Sequence, residues 1–133
     1  MASIRREILI DAAIDDVWAA VRDVGAVHRR LAPGFVTDTR LDGDARIVTF
    51  ANGLVARELL VDINDEQRRV AYSVVGGAAR HHHASMQVLS DGDNRSRVVW
   101  ITDVLPHEIA TPIGAMVDQG CAVMKRTLDC AGK

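Results

Sequence analysis

The sequence predicts an α+β protein: a curved seven-stranded antiparallel sheet wraps around one long C-terminal helix, with two short helices between strands 1 and 2. Three observations carry that prediction. Turn-forming clusters recur through the middle of the chain, at Asp42-Gly43-Asp44, Asn52-Gly53, Gly76-Gly77 and Asp91-Gly92-Asp93-Asn94. Each separates short, β-branched, alternating runs, the pattern of antiparallel hairpins. Apolar spacing switches to the helical period only near the two ends of the chain.

The elements follow in order. Ile4, Ile8 and Ile10 alternate with Arg5, Glu7 and Leu9 and make a first strand. Ile14, Val17, Trp18 and Val21 then share one face of a helix over residues 14–23, whose first turn holds Asp15 and Asp16, where the helix dipole favours negative charge. A second helical piece runs from Val24 to Leu31, and Pro33-Gly34 ends it. Six strands come next, near residues 35–41, 45–51, 54–63, 69–76, 80–90 and 96–105, and Pro106 closes the sheet. The long helix spans about residues 107–130, with Ile109, Ile113, Met116, Val117, Val123, Met124 and Leu128 along one stripe. Thr111-Pro112 reads as a second start or as a kink. A twisted sheet of this width tends to curl, and one helix does not fill its hollow. A cavity between helix and sheet is therefore expected, the kind of concave apolar place where ligands bind.

Composition narrows the function. The chain has 133 residues, 48% of them hydrophobic and 26% charged, which suits one ordered domain over residues 1–133. A net charge of −2 lacks the basic footprint of nucleic-acid binding. No apolar run approaches the ~20 residues of a membrane span, and the charged start Arg5-Arg6-Glu7 does not suit a signal peptide. A cytoplasmic protein is the expectation. Cys121 and Cys130 fall about 13.5 Å apart on one continuous helix, beyond the ~7 Å reach of a disulfide, so two free thiols are expected. The chain holds no GxGxxG, GxxxxGK[ST], GxSxG or HExxH pattern, and no cofactor is expected.

Three segments carry a family resemblance: Ile10-Asp11-Ala12-Ala13-Ile14-Asp15-Asp16-Val17-Trp18, Val98-Val99-Trp100-Ile101-Thr102-Asp103-Val104-Leu105-Pro106, and Met124-Lys125-Arg126-Thr127-Leu128. With the element order, they resemble the START-like, or SRPBCC, superfamily and its helix-grip fold, most nearly the bacterial polyketide cyclase/dehydrase-like branch. The resemblance covers essentially the whole chain. It implies the fold and a ligand cavity. It implies no particular active site, because that family spans lipid and hormone carriers as well as aromatase/cyclase-type enzymes.

The densest polar cluster is Arg80-His81-His82-His83. On a strand His81 and His83 share one face and His82 takes the other. A hairpin turn near Asp93 places His83 opposite Asp103. His81 and His83 can supply two ligands of a metal site, with Asp103 as the candidate third; the His83–Asp103 pair is instead an acid/base dyad if it faces the cavity, or a polar pair on the wet side of the sheet. Hydrophobicity favours His82, Ala84, Met86 and Val88, with Val98, Trp100 and Thr102, as the inner set. Pockets retain polar groups, so the face of His83 and Asp103 stays open. No metal is assigned.

Arg57 interrupts the apolar alternation Val55-Arg57-Leu59-Val61-Ile63. If that face is the inner one, its guanidinium would clamp a carboxylate or polarise a carbonyl; Glu58 takes that place if the register slips by one. The lone Tyr72 needs a partner for its hydroxyl, in the pocket or in the core. Trp18 and Trp100 read as core anchors, with Trp100 near the cavity. Met86, Met116 and Met124 suit an adaptable apolar wall, and Gly120 either opens space for a ligand or lets helix and sheet pack closely. His28-Arg29-Arg30 is a basic spot near the cavity mouth.

The leading expectation is a binding module for a small, mostly hydrophobic molecule (a lipid, polyketide or aromatic metabolite), held by Arg57, Tyr72, Met86, Trp100, Met116, Gly120 and Met124. The alternative is a cyclase/dehydrase-type enzyme using His83 and Asp103. An exposed apolar patch on the convex sheet face would instead mark an interaction surface, such as that of a homodimer.

Overall fold

A computed structural model describes residues 2–132. Seven strands, β1 (Ala2–Ile10), β2 (Val36–Asp42), β3 (Ala45–Phe50), β4 (Val55–Asn64), β5 (Arg69–Val75), β6 (His81–Ser90) and β7 (Ser96–Leu105), form one antiparallel sheet in the order β1-β7-β6-β5-β4-β3-β2. Each of β2 to β7 pairs with its chain neighbour, as hairpins require, and β1 returns to pair with β7. Helix α1 (Ile14–Arg22) and one wide π-type turn (Val27–Leu31) separate β1 from β2. A 3-10 turn (His107–Ile109) leads into α2 (Ala110–Leu128). Pro112 falls in the first turn of α2, where its missing N–H costs no hydrogen bond, and Thr111 makes no capping bond.

Alternation sorts each strand into two faces. Ile4 and Ile8 on β1, Val98, Trp100 and Thr102 on β7, and Ala84, Met86 and Val88 on β6 stand in register and face α2. The buried stripe of α2 is Gly114, Val117, Gly120, Met124 and Leu128. Its two glycines bring the helix backbone close to the sheet. A β-carbon built on Gly120 would lie 3.1 Å from Trp100 and 3.2 Å from Phe35.

Three polar ties fasten this end of the fold. Arg6 on β1 donates to Asp118 on α2 at 2.6 Å, and Lys125 donates to the Leu9 carbonyl at 2.8 Å. Just past the helix, Asp129 accepts from the Asp11 amide at 2.8 Å. All three run along the β1 side of the helix. Across the sheet, Trp18 and Arg22 on α1 both donate to Asp65 in the β4–β5 turn, at 3.0 and 2.7 Å.

Strand β4 departs from simple alternation. A bulge between Leu60 and Asp62 inserts Val61, so residues before and after it present opposite parities to the same face. Ala56, Glu58 and Leu60 turn inward while Arg57 and Leu59 turn outward, and beyond the bulge Ile63 pairs with the inner Val70.

Candidate functional site

The concave face closes on a cavity of about 50 Å³. From the sheet it is lined by Arg46, Val48 and Phe50 of β3, Glu58 of β4, Tyr72 of β5, Met86 of β6 and Trp100 of β7. Gly120 and Met124 line it from α2, and Val27, Leu31, Ala32, Phe35 and Val36 close the front. Six strands, β2 to β7, reach one hollow against one helix, which is the wrapping that the sheet width implied. Phe35 and Phe50 meet edge to face at 5.4 Å and form the half-buried wall nearest solvent. The volume exceeds the ~30 Å³ share of one water molecule but is below the ~300 Å³ of small ligand pockets. A molecule larger than a few atoms therefore needs this wall to part.

The polar end of the cavity is built by three strands. Arg46 and Glu58 are cross-strand partners on β3 and β4, each only 6% exposed, and Arg46 Nε donates to Glu58 Oε1 at 2.7 Å. A second donor of Arg46, Nη1, points to the Val24 carbonyl at 3.4 Å. The guanidinium carbon lies 4.9 Å from the centre of the Tyr72 ring, within cation–π range. The Tyr72 hydroxyl accepts from Trp100 Nε1 at 3.2 Å, and among the described residues nothing accepts the Tyr72 proton. Burial, and then the nearby Glu58 charge, hold the Tyr72 phenol well above the usual phenol range. Tyr72 is thus a neutral O–H donor at physiological pH.

The structure brings Tyr72, Met86, Trp100, Gly120 and Met124 together around this cavity. It does not bring Arg57 there. Arg57 sits on the outer face, where its Nη1 donates to Asp42 at 2.7 Å, because the apolar alternation beginning at Val55 belongs to the outer side of β4. Glu58, its neighbour, takes the inner position. Met116 is half-buried on α2 and lies outside the cavity lining. His83 and Asp103 are indeed cross-strand partners, but their parity is opposite to that of Met86 and Trp100, so both lie on the outer face. There Ser73 Oγ and His83 Nδ1 are 3.1 Å apart, and Ser3 Oγ donates to Asp103 Oδ1. The inner histidine is His82, whose imidazole pKa is lowered by burial and, secondarily, by His81. Among the described residues, no three His, Cys, Asp or Glu side chains group as a metal site. Both thiols are free, and burial together with the Asp118 charge pushes Cys121 up to about 11, which suits a thiol and not a thiolate nucleophile. No helix among the described residues is long and apolar enough to cross a membrane.

Arg46, Phe35 and Phe50 were not singled out from the sequence, although a signal existed for the first. A turn centred on Asn52 pairs residues equally distant on either side, and Arg46 and Glu58 are such a pair.

Comparison with known proteins places this geometry. A family model described as polyketide cyclase/dehydrase and lipid transport matches residues 1–131. An uncharacterized protein from Bacillus thuringiensis superposes with a TM-score of 0.85 at 18% identity, over 96% of this chain and 98% of that one. A START superfamily protein from Mycobacterium smegmatis superposes with a TM-score of 0.75 at 8% identity, over 96% and 94% of the two chains. The di-domain ARO/CYC protein BexL of the BE-7585A biosynthetic pathway gives 0.83 at 13% identity, over 97% of this chain and 47% of that one. Among curated proteins no sequence match is found.

Proposed function

Since the chain belongs to the polyketide cyclase/dehydrase and lipid transport family, we propose that it holds one compact, mostly apolar molecule with an oxygen acceptor at one end. The observation that carries this reading is the single polar end of an otherwise apolar cavity: a buried, neutral Tyr72 hydroxyl whose proton has no acceptor among the described residues, beside the Arg46 guanidinium. An uncommitted buried donor costs about 1–3 kcal/mol, and a ligand carbonyl, carboxylate or phenol oxygen would remove that cost. The aliphatic and methionine wall, with Val48, Met86 and Met124, would supply affinity by burial at ~25 cal/mol per Å². The small volume favours a planar ring over an extended acyl chain. The test is a thermal-shift screen of aromatic and oxo-substituted metabolites, followed by titration calorimetry on the native chain and on Tyr72→Phe. Saturable binding that weakens in the variant supports the reading. Binding that ignores Tyr72 overturns it.

A second reading is catalytic and rests on the same donors. A carbonyl oxygen held by Tyr72 and Arg46 would be stabilised as negative charge develops on it, as in an enolate, which is the demand of cyclase or dehydrase chemistry. His83 and Asp103 have no part in this version. Turnover of a bound oxo compound that falls in Tyr72→Phe more steeply than its affinity does would distinguish an enzyme from a carrier.

A further inference from the structure

The outer face of the sheet bears an apolar field that the cavity does not use. Val55, Leu59 and Val61 on β4 are 63%, 37% and 58% exposed, and Val75 on β5 is 39% exposed. Cross-strand register joins them into one surface: Leu59 lies between Ala45 and Ser73, and Arg57 lies between Ile47 and Val75. Monomeric proteins seldom expose apolar patches beyond ~300–600 Å², and patches of that size are commonly functional. The polar side chains of neighbouring β2 adjoin this field, and a standard interface buries ~800 Å² on each partner.

We propose that this face is the contact surface of a twofold homodimer, with Leu59 of the two copies meeting near the axis. The charge arrangement selects a second copy as the occupant. Arg57 precedes Leu59 on the outer face, and Asp62, restored to that face by the bulge, follows it. In a twofold contact residue i meets residue j and j meets i. Two β4 strands running antiparallel across the axis therefore set Arg57 of each copy over Asp62 of the other, on both sides of a central Leu59 contact. One cation and one anion flanking an apolar centre are complementary to their own rotated image, a property that an unrelated partner would not require. The present partner of Arg57 is the exposed Asp42, and an exposed pair of that kind contributes little, so Arg57 is free to reach across.

Sedimentation velocity on the full chain, over a dilution series from micromolar upwards, tests this. The expected result is a reversible monomer–dimer equilibrium. Leu59→Glu should raise the dissociation constant at least ~tenfold while leaving the far-ultraviolet circular dichroism unchanged, since Leu59 lies outside the core. Arg57→Asp and Asp62→Arg should each weaken the dimer, and the double variant should recover much of the loss. A wild-type chain that stays monomeric overturns the proposal. So does a dimer indifferent to Leu59→Glu, a double variant no tighter than either single one, or a monomer that docks on phospholipid vesicles through this face.

Discussion

Arg46 and Glu58 face each other across β3 and β4 at 2.7 Å, both buried on the cavity side of the sheet. Removing one member of a buried pair strands a charge, whereas removing both leaves only apolar surface to fill. Glu58→Ala should therefore destabilise the fold by about 3–5 kcal/mol. The double variant Arg46→Met with Glu58→Leu should be close to the wild type in stability. Urea denaturation of the wild type and these two variants checks this, and equal losses in the single and double variants would contradict it.

Tyr72→Phe leaves Trp100 Nε1 without its acceptor and should cost about 1 kcal/mol of stability. The phenol also sets an alkaline limit. Its folded pKa is raised, so the unfolded chain ionises first, and the stability it contributes is intact below the ordinary phenol value and lost as pH rises beyond it. Stability curves taken across pH ~10 should fall more steeply in the wild type than in Tyr72→Phe.

His82 acts at the other end of the pH scale. Burial lowers its folded pKa, so the unfolded chain takes up the proton first and stability declines as pH falls below ~6.5 towards the lower folded value. His82→Gln should flatten that decline. Denaturant midpoints measured on both sides of this window are the check.

Gly120→Ala would put a methyl group 3.1 Å from Trp100 and 3.2 Å from Phe35. Overpacking of this kind costs about 1–3 kcal/mol, while alanine regains about 1 kcal/mol of helix propensity. The net stability change should stay within about 2 kcal/mol, yet the methyl group occupies the cavity wall. Ligand affinity measured by calorimetry should fall at least ~tenfold, out of proportion to the change in melting temperature.

His83→Ala and Asp103→Asn alter the outer face only. Both should leave cavity binding unchanged within error, which the same calorimetry measures. A marked loss in either would mean that the two faces of the sheet communicate.

Much of this fold is legible in the residues because turn chemistry and periodicity are local. Asp93 at a hairpin centre sufficed to pair His83 with Asp103, and the strands fall within a residue or two of the runs between turn clusters. What periodicity does not carry is the sign of a face. On β4 the more regular apolar alternation lies on the outer side, where Val55, Leu59 and Val61 are exposed, and the inner side carries Glu58. Reading hydrophobicity as burial therefore sends Arg57 inward and hides Glu58. The bulge at Val61 then changes parity again, so that Ile63 no longer follows Leu59. The candidate site was legible where the core and the pocket coincide, at Tyr72, Met86, Trp100, Gly120 and Met124. It was obscure where a buried charge pair made polar residues into interior ones.

The moorings of α2 bear on how the hollow accommodates a guest. Arg6 and Lys125 lash the helix to β1, while its other flank meets the Val27–Leu31 turn and, at Gly120, the rings of Trp100 and Phe35. Were the helix to swing, these two moorings would form the hinge and the gap over Tyr72 would be the side that widens. A ligand of the proposed kind would then enter on the side of the two phenylalanines, with the first strand as the hinge line.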